Sequence, residues 1–162
     1  MSEHPEAGRQ FLRHTVATLA YRGGKALRDA PPSFAAFRVS EMSRTPLEIL
    51  AHMGDLFDWA CALAGGQHVW NDRPPGSWDE EVARFFAGLQ RFDDTLAAET
   101  PLGFSIERLF QGPVADALTH VGQIAMLRRL AGAPVKGENF FKAEIQAGRV
   151  GSEQMPARRE FD

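Results

Sequence analysis

The sequence predicts an all-α fold, a bundle of four long helices with a short extra helix and an extended C-terminal tail. Three observations predict it. Two capping boxes, Thr45-Pro46-Leu47-Glu48 and Ser77-Trp78-Asp79-Glu80, each open a stretch whose apolar residues recur at helical spacing. The breaker-rich runs Pro31-Pro32 and Gly65 to Gly76 fall between the periodic stretches. The run from Gly112 to Gly132 carries proline at its start and glycine at its end, the asymmetry expected of a helix.

In chain order, residues 1–8 read as a loose leader. A first helix follows from about Gly8 to Asp29, with Leu12, Val16, Leu19 and Leu27 as its apolar stripe. His14 falls on the other side, in the sector of Arg22, Lys25 and Arg28, and reads as solvated. Residues 30–44 form a connection opening on Pro31-Pro32; a strand within 33–39 carries no weight. The second helix runs from the Thr45 cap to about Ala64 and stops at Gly65-Gly66. Its core stripe holds Ile49, His52, Leu56, Trp59 and Leu63, with Glu48, Asp55 and Asp58 on the shoulder or outside. Residues 65–76 are loop, so His68, like His4 in the leader, reads as solvated. The third helix, to about Ala98, buries Val82, Phe85, Phe86, Leu89, Phe92 and Leu96. A short helical turn from Ser105 to Phe110 is expected to break at Gly112-Pro113, where the last helix begins. The tail, Ala133 to Asp162, loses the long periodicity; Phe140, Phe141 and Ile145 are expected to dock on the bundle. Residues 1–132 thus form the bundle, and 133–162 a tail packed on it as part of the same domain.

The 162 residues suffice for one domain with a real core. With 18 basic and 21 acidic residues the net charge is −3, which gives no footprint for nucleic acid. No apolar run approaches a membrane span, and the N-terminus lacks a signal-peptide layout. The single cysteine leaves no disulfide framework and fits a reducing cytoplasm.

The last helix carries the chemistry. From Val114 to Leu127 it is apolar or small on every side except for Asp116, Thr119, His120 and Gln123, the pattern of a buried rod. At about 100° per residue Asp116, His120, Gln123 and Leu127 share an arc of about 60°. A carboxylate and an imidazole one turn apart in a core need a partner, and no lysine or arginine shares their sector. A metal ion suits both, and His52 is the one other histidine on an apolar face. Bundle interiors build metal sites from facing helices in this way. Two histidines and one carboxylate leave coordination positions open, as in catalytic sites. Gln123 is placed to hydrogen-bond a ligand, or else to be satisfied by backbone. Asp55 reads first as a surface carboxylate and second as a partner of His52. Cys61 lies about 180° from His52 on its helix, too far round to serve as ligand or nucleophile.

The run His120-Val121-Gly122-Gln123-Ile124, continued by Leu127-Arg128-Arg129-Leu130-Ala131-Gly132, resembles the last-helix signature of the DinB-like superfamily. Leu50-Ala51-His52-Met53-Gly54-Asp55, ahead of Trp59, resembles the corresponding run of its second helix. The resemblance spans roughly residues 8–132. It implies an up-and-down four-helix bundle, often a homodimer, with one metal ion held by His52, Asp116 and His120. Asp116 departs from the three histidines common in that family and leaves the metal's identity open. The ion expected is divalent, zinc or nickel ahead of iron or manganese. Some relatives use a low-molecular-weight thiol as cosubstrate in transferase or isomerase reactions, and others resemble hydrolases. The resemblance therefore implies a metal that activates water or a thiol toward a small-molecule substrate; composition and charge add the expectation of a cytoplasmic protein without nucleic-acid or membrane partners. Two alternatives stand beside it: a non-catalytic dimeric bundle with a structural metal or small ligand, and, by ligand set alone, a two-histidine-one-carboxylate iron oxygenase.

Overall fold

The computed structural model describes residues 5–162; His4 and the rest of 1–4 lie outside the described residues. Helix α1 spans Pro5–Leu27, α2 Pro46–Ala64, α3 Trp78–Ala97, α4 Ile106–Leu109 and α5 Ala115–Leu130. Strands β1 (Gly137–Glu138) and β2 (Glu160–Phe161) pair antiparallel in the tail. The all-α bundle expected from the periodicity is present. Both capping boxes form, with the Thr45 and Ser77 hydroxyls accepting from the backbone of Glu48 and Glu80 and each glutamate reaching back to its cap. The first helix starts three residues earlier than its periodicity suggests, at Pro5, and residues 33–39 hold a 3₁₀ turn, Pro32–Ala36, rather than strand.

Around the bundle each helix has two main neighbours, in the order α1, α3, α2, α5. Side-chain pairings fix the directions. Arg13 meets Asp93 and Gly23 faces Phe85, so α1 and α3 are antiparallel. Gly54 lies under Arg84, Phe57 against Gly88 and Asp58 beside Arg91, so α2 and α3 are parallel. His52 faces Asp116 while Trp59 packs on Gly112, so α2 and α5 are antiparallel. Gly8 lies against Ile106 and Gly23 against Val121, so α1 runs parallel to α4 and α5. The sense is up, down, down, up, and not the strict alternation of a simple up-and-down bundle. The cause is the connection between α2 and α3. Nineteen residues of α2 rise about 28 Å, and the dozen or so residues after Ala64 can extend about 40 Å, enough to return the chain to the other end.

Leu12, Val16, Leu19 and Leu27 of α1 are buried, as are Phe85, Phe86, Leu89, Phe92 and Leu96 of α3. The last helix differs from expectation in two ways. It does not begin at Pro113: α4 continues into α5 through a π-helical turn, Phe110–Val114, that contains the proline. Proline lacks an N–H and crowds the carbonyl four residues back, and a widened turn accommodates both defects. Nor is α5 buried on every side. Of the long helices it packs mainly on α1 and α2, and Thr119, Gly122, Gln123, Met126 and Leu130 face outward.

The tail anchors mainly through polar groups. Glu138 is buried; it accepts from the Tyr21 hydroxyl at 2.5 Å and from Lys25 Nζ at 2.8 Å. Burial first, and then the Glu138 carboxylate, hold the Tyr21 phenol well above its ordinary pKa. Lys25 also reaches Glu160 on β2. Phe140 packs edge-on to Tyr21 with Arg22 over its ring, and Ile145 packs against the core. Phe141, expected to dock, is 95% exposed; Val150 takes the buried position instead.

Candidate metal centre

The parallel return of the chain after α2 leaves one flank of α2 free to face α5, and the site forms there. His52 comes from the second turn of α2, Asp116 and His120 from the first two turns of α5. His52 Nε2 lies 3.3 Å from Asp116 Oδ2, and His120 Nε2 lies 3.4 Å from the same oxygen. One donor atom from each residue falls within 4.8 Å of the others, so the three could together hold a metal ion. The two imidazoles meet edge to face with centroids 4.8 Å apart.

His120 is oriented by its own helix. Its Nδ1 lies 2.8 Å from Gln123 Oε1, one turn on. That oxygen only accepts, so Nδ1 carries the proton and, in the neutral ring, Nε2 presents a lone pair. The lone pair faces a carboxylate oxygen, and no arginine or lysine ion-pairs with Asp116 among the described residues. His52 Nε2 lies within hydrogen-bond reach of that oxygen; with its proton given up, imidazole nitrogens and carboxylate oxygen would form a donor set for a divalent transition metal. Asp116 is more open than an interior rod would have it: its side chain is 46% exposed, because α5 turns this edge to solvent.

Gln123 thus stands beside a candidate ligand, though largely exposed rather than buried. Asp55 is not the surface carboxylate the helix phase suggested. It is buried, bonded to Arg84 Nη2 at 2.5 Å and reached by the Arg73 amide, and among the described residues it makes no hydrogen bond to His52. The reason is Arg84, brought beside it by the parallel packing of α3. His14 is exposed, and His68 is exposed while stacking on Trp59. Cys61 lies outside the cluster, and burial pushes its thiol pKa up.

The return loop adds residues that helix periodicity cannot assign. Trp70 lies over His52 at 5.5 Å between centroids and against Trp59 at 5.7 Å, its indole N–H held by Asp72. Trp59 packs closely on the π-turn at Gly112, where a Cβ would sit 3.3 Å from the indole. Two clefts open beside the centre. One, of about 670 Å³, is lined by His120, Gln123, Thr119, Ile49, Met126 and Leu127. A smaller one, of about 230 Å³, includes His52, Asp55, Asp72 and Arg73. Arg44 lines both, and neither is lined by residues of 133–162. The only hints of these loop residues in the sequence were tryptophan and arginine among turn formers.

No family model, curated protein or solved structure matches this chain. No helix among the described residues is long and apolar enough to cross a membrane.

Proposed function

We propose that the protein is a metal-dependent enzyme of the DinB-like type, acting on a small substrate through a divalent ion bound by His52, Asp116 and His120. The observation that carries the reading is the convergence of three donor atoms within 4.8 Å on a bundle flank that opens into clefts. A divalent ion in such a site supplies Lewis acidity, lowering the pKa of a water or low-molecular-weight thiol. The chain's own residues do the rest. Gln123 fixes the His120 tautomer that offers Nε2 inward, and Asp116 offers the one negative charge among the donors. Trp70 packs against His52 on the loop side. The thiol, where one is used, arrives with a cosubstrate, because Cys61 lies outside the cluster and burial pushes its thiol pKa up.

Metal analysis of the purified protein, with titration of zinc, nickel, iron and manganese, tests the reading. Stoichiometric binding lost in His52→Ala supports it; absence of binding, or binding indifferent to that substitution, removes it. A second reading, a non-catalytic homodimer with a structural metal, draws on the outward-facing Met126 and Leu130 of α5. It requires a dimer in solution and a metal that stabilises the fold without supporting turnover of thiol or ester test substrates.

A further inference from the structure

The two clefts beside the centre differ in character, and Arg44 is the residue they share. On the His120 side the wall is built from Ile49, Met126 and Leu127, with Thr119 and Ser43 as small polar members. On the His52 side it carries charge: Glu48, Asp55, Asp72 and Arg73. The carboxylates there have other partners. Glu48 is taken by the Thr45 amide and by Arg38, Asp55 by Arg84, and Asp72 by the Trp70 indole. Arg44 and Arg73 are different: among the described residues neither guanidinium makes a hydrogen bond or an ion pair. Arg13, Arg38, Arg84 and Arg91 each ion-pair with a carboxylate, and what sets Arg44 apart from other unpaired surface arginines is that it lines both clefts. The free guanidinium of Arg44 precedes the Thr45 cap of α2, so the start of that helix holds it at the border of both clefts.

A guanidinium offers a planar fork of donors that grips a carboxylate with two parallel hydrogen bonds. An apolar cavity immediately beside it suits a hydrocarbon body, and the metal group lies along the same wall. We infer that the site takes small organic acids, with the anionic group held by Arg44 and the apolar part lying along Ile49, Met126 and Leu127. This deepens the functional reading above and rests on it for the metal. Arg44 is here a binding residue, setting which substrates enter, and Met126 sets the length and bulk of the apolar part.

The test measures binding, with metal occupancy followed separately in the same samples. Hexanoate, hexan-1-ol and acetate are titrated into isotope-labelled protein, with and without zinc, and read by NMR shifts. Hexanoate is expected to shift residues around Arg44, His120 and Met126, and to bind about tenfold more tightly than hexan-1-ol or acetate. Arg44→Gln, at an exposed position that leaves the core untouched, should remove the preference for hexanoate over hexan-1-ol while zinc binds as before. Met126→Gln should remove the preference for hexanoate over acetate. Equal binding of hexanoate to the wild type and Arg44→Gln overturns the inference, even where zinc binds. Loss of zinc binding in the wild type instead removes the functional reading, and the Arg44-dependent shifts are read from the zinc-free series.

Discussion

Helix α2 carries two polar clusters a single turn apart, and they are built on opposite plans. Toward α3, Asp55 and Asp58 close on Arg84, which also reaches Glu81 and the Ala51 carbonyl. Arg91 takes the remaining oxygen of Asp58, and Gly88 lets the two helices approach, since a Cβ there would meet Phe57 Cβ at 2.8 Å. Each carboxylate there has a guanidinium partner, and Arg84, Asp55 and Glu81 at its centre are buried or nearly so. Toward α5, His52 meets Asp116 and His120, where acceptors outnumber donors and the group opens to clefts on two sides. The first plan is what a fold uses to fix the pairing of two helices. The second leaves a deficit that a cation would fill. Burial of polar residues does not separate structural from functional clusters here. The balance of donors and acceptors does.

That contrast breaks most visibly at Arg84. Arg84→Met leaves Asp55 and Glu81 buried without their cation, and removing one partner of a buried charge network costs about 3–5 kcal/mol. Urea denaturation should report that loss, while the zinc titration curve of the folded protein overlays that of the wild type. A matching loss of metal affinity would show that the two clusters are one unit.

The opposite result is expected at Asp116. Its side chain is half exposed and supports no packing, so metal-free Asp116→Ala should keep its stability to within about 0.5 kcal/mol. Metal affinity should fall by more than the 10–100-fold typical of losing a residue that only supports a ligand. At a metal concentration 100 times Kd the wild type gains about 2.7 kcal/mol of stability, which thermal melts will show and the variant will lack. Gln123→Met separates the roles further. It removes the acceptor on His120 Nδ1 but no proposed ligand, so affinity should drop by about 10–100-fold, less than for Asp116→Ala.

Periodicity was enough to bring His52, Asp116 and His120 onto facing sides of two helices, because helical phase is a local property and each face is apolar. The capping boxes at Thr45 and Ser77 were readable for the same reason: each is complete within four residues. What periodicity could not supply was direction. Whether α3 runs with or against α2 depends on the path of residues 65–77, and that path alone brings Arg84 beside Asp55, 29 residues away. Asp55 consequently looked like a surface residue, and Trp70, on the returning loop, had no assignable place over His52. The π-turn at Phe110–Val114 was hidden because Gly-Pro ordinarily ends a helix, whereas here the widened turn carries the chain through Pro113 with Trp59 packed on Gly112.

The smallest expected effect concerns how the open cluster's helix begins. Thr45 and Glu48 exchange hydrogen bonds at the start of α2, one turn before His52. The Thr45 backbone N–H, foremost, holds the Glu48 carboxyl below its ordinary pKa. A carboxyl whose pKa is lower folded than unfolded contributes stability above its unfolded value, about 4.3, and loses it as the pH falls through the folded value. Stability of the wild type should therefore decline over that acid window in part through Glu48, and Glu48→Gln should flatten that part of the profile. Because the side chain is largely exposed and screened, the difference should stay below about 1 kcal/mol. Urea midpoints of wild type and Glu48→Gln measured from pH 3 to 6 check this difference. An acid profile identical in Glu48→Gln and wild type would mean that the cap adds nothing beyond the hydroxyl of Thr45.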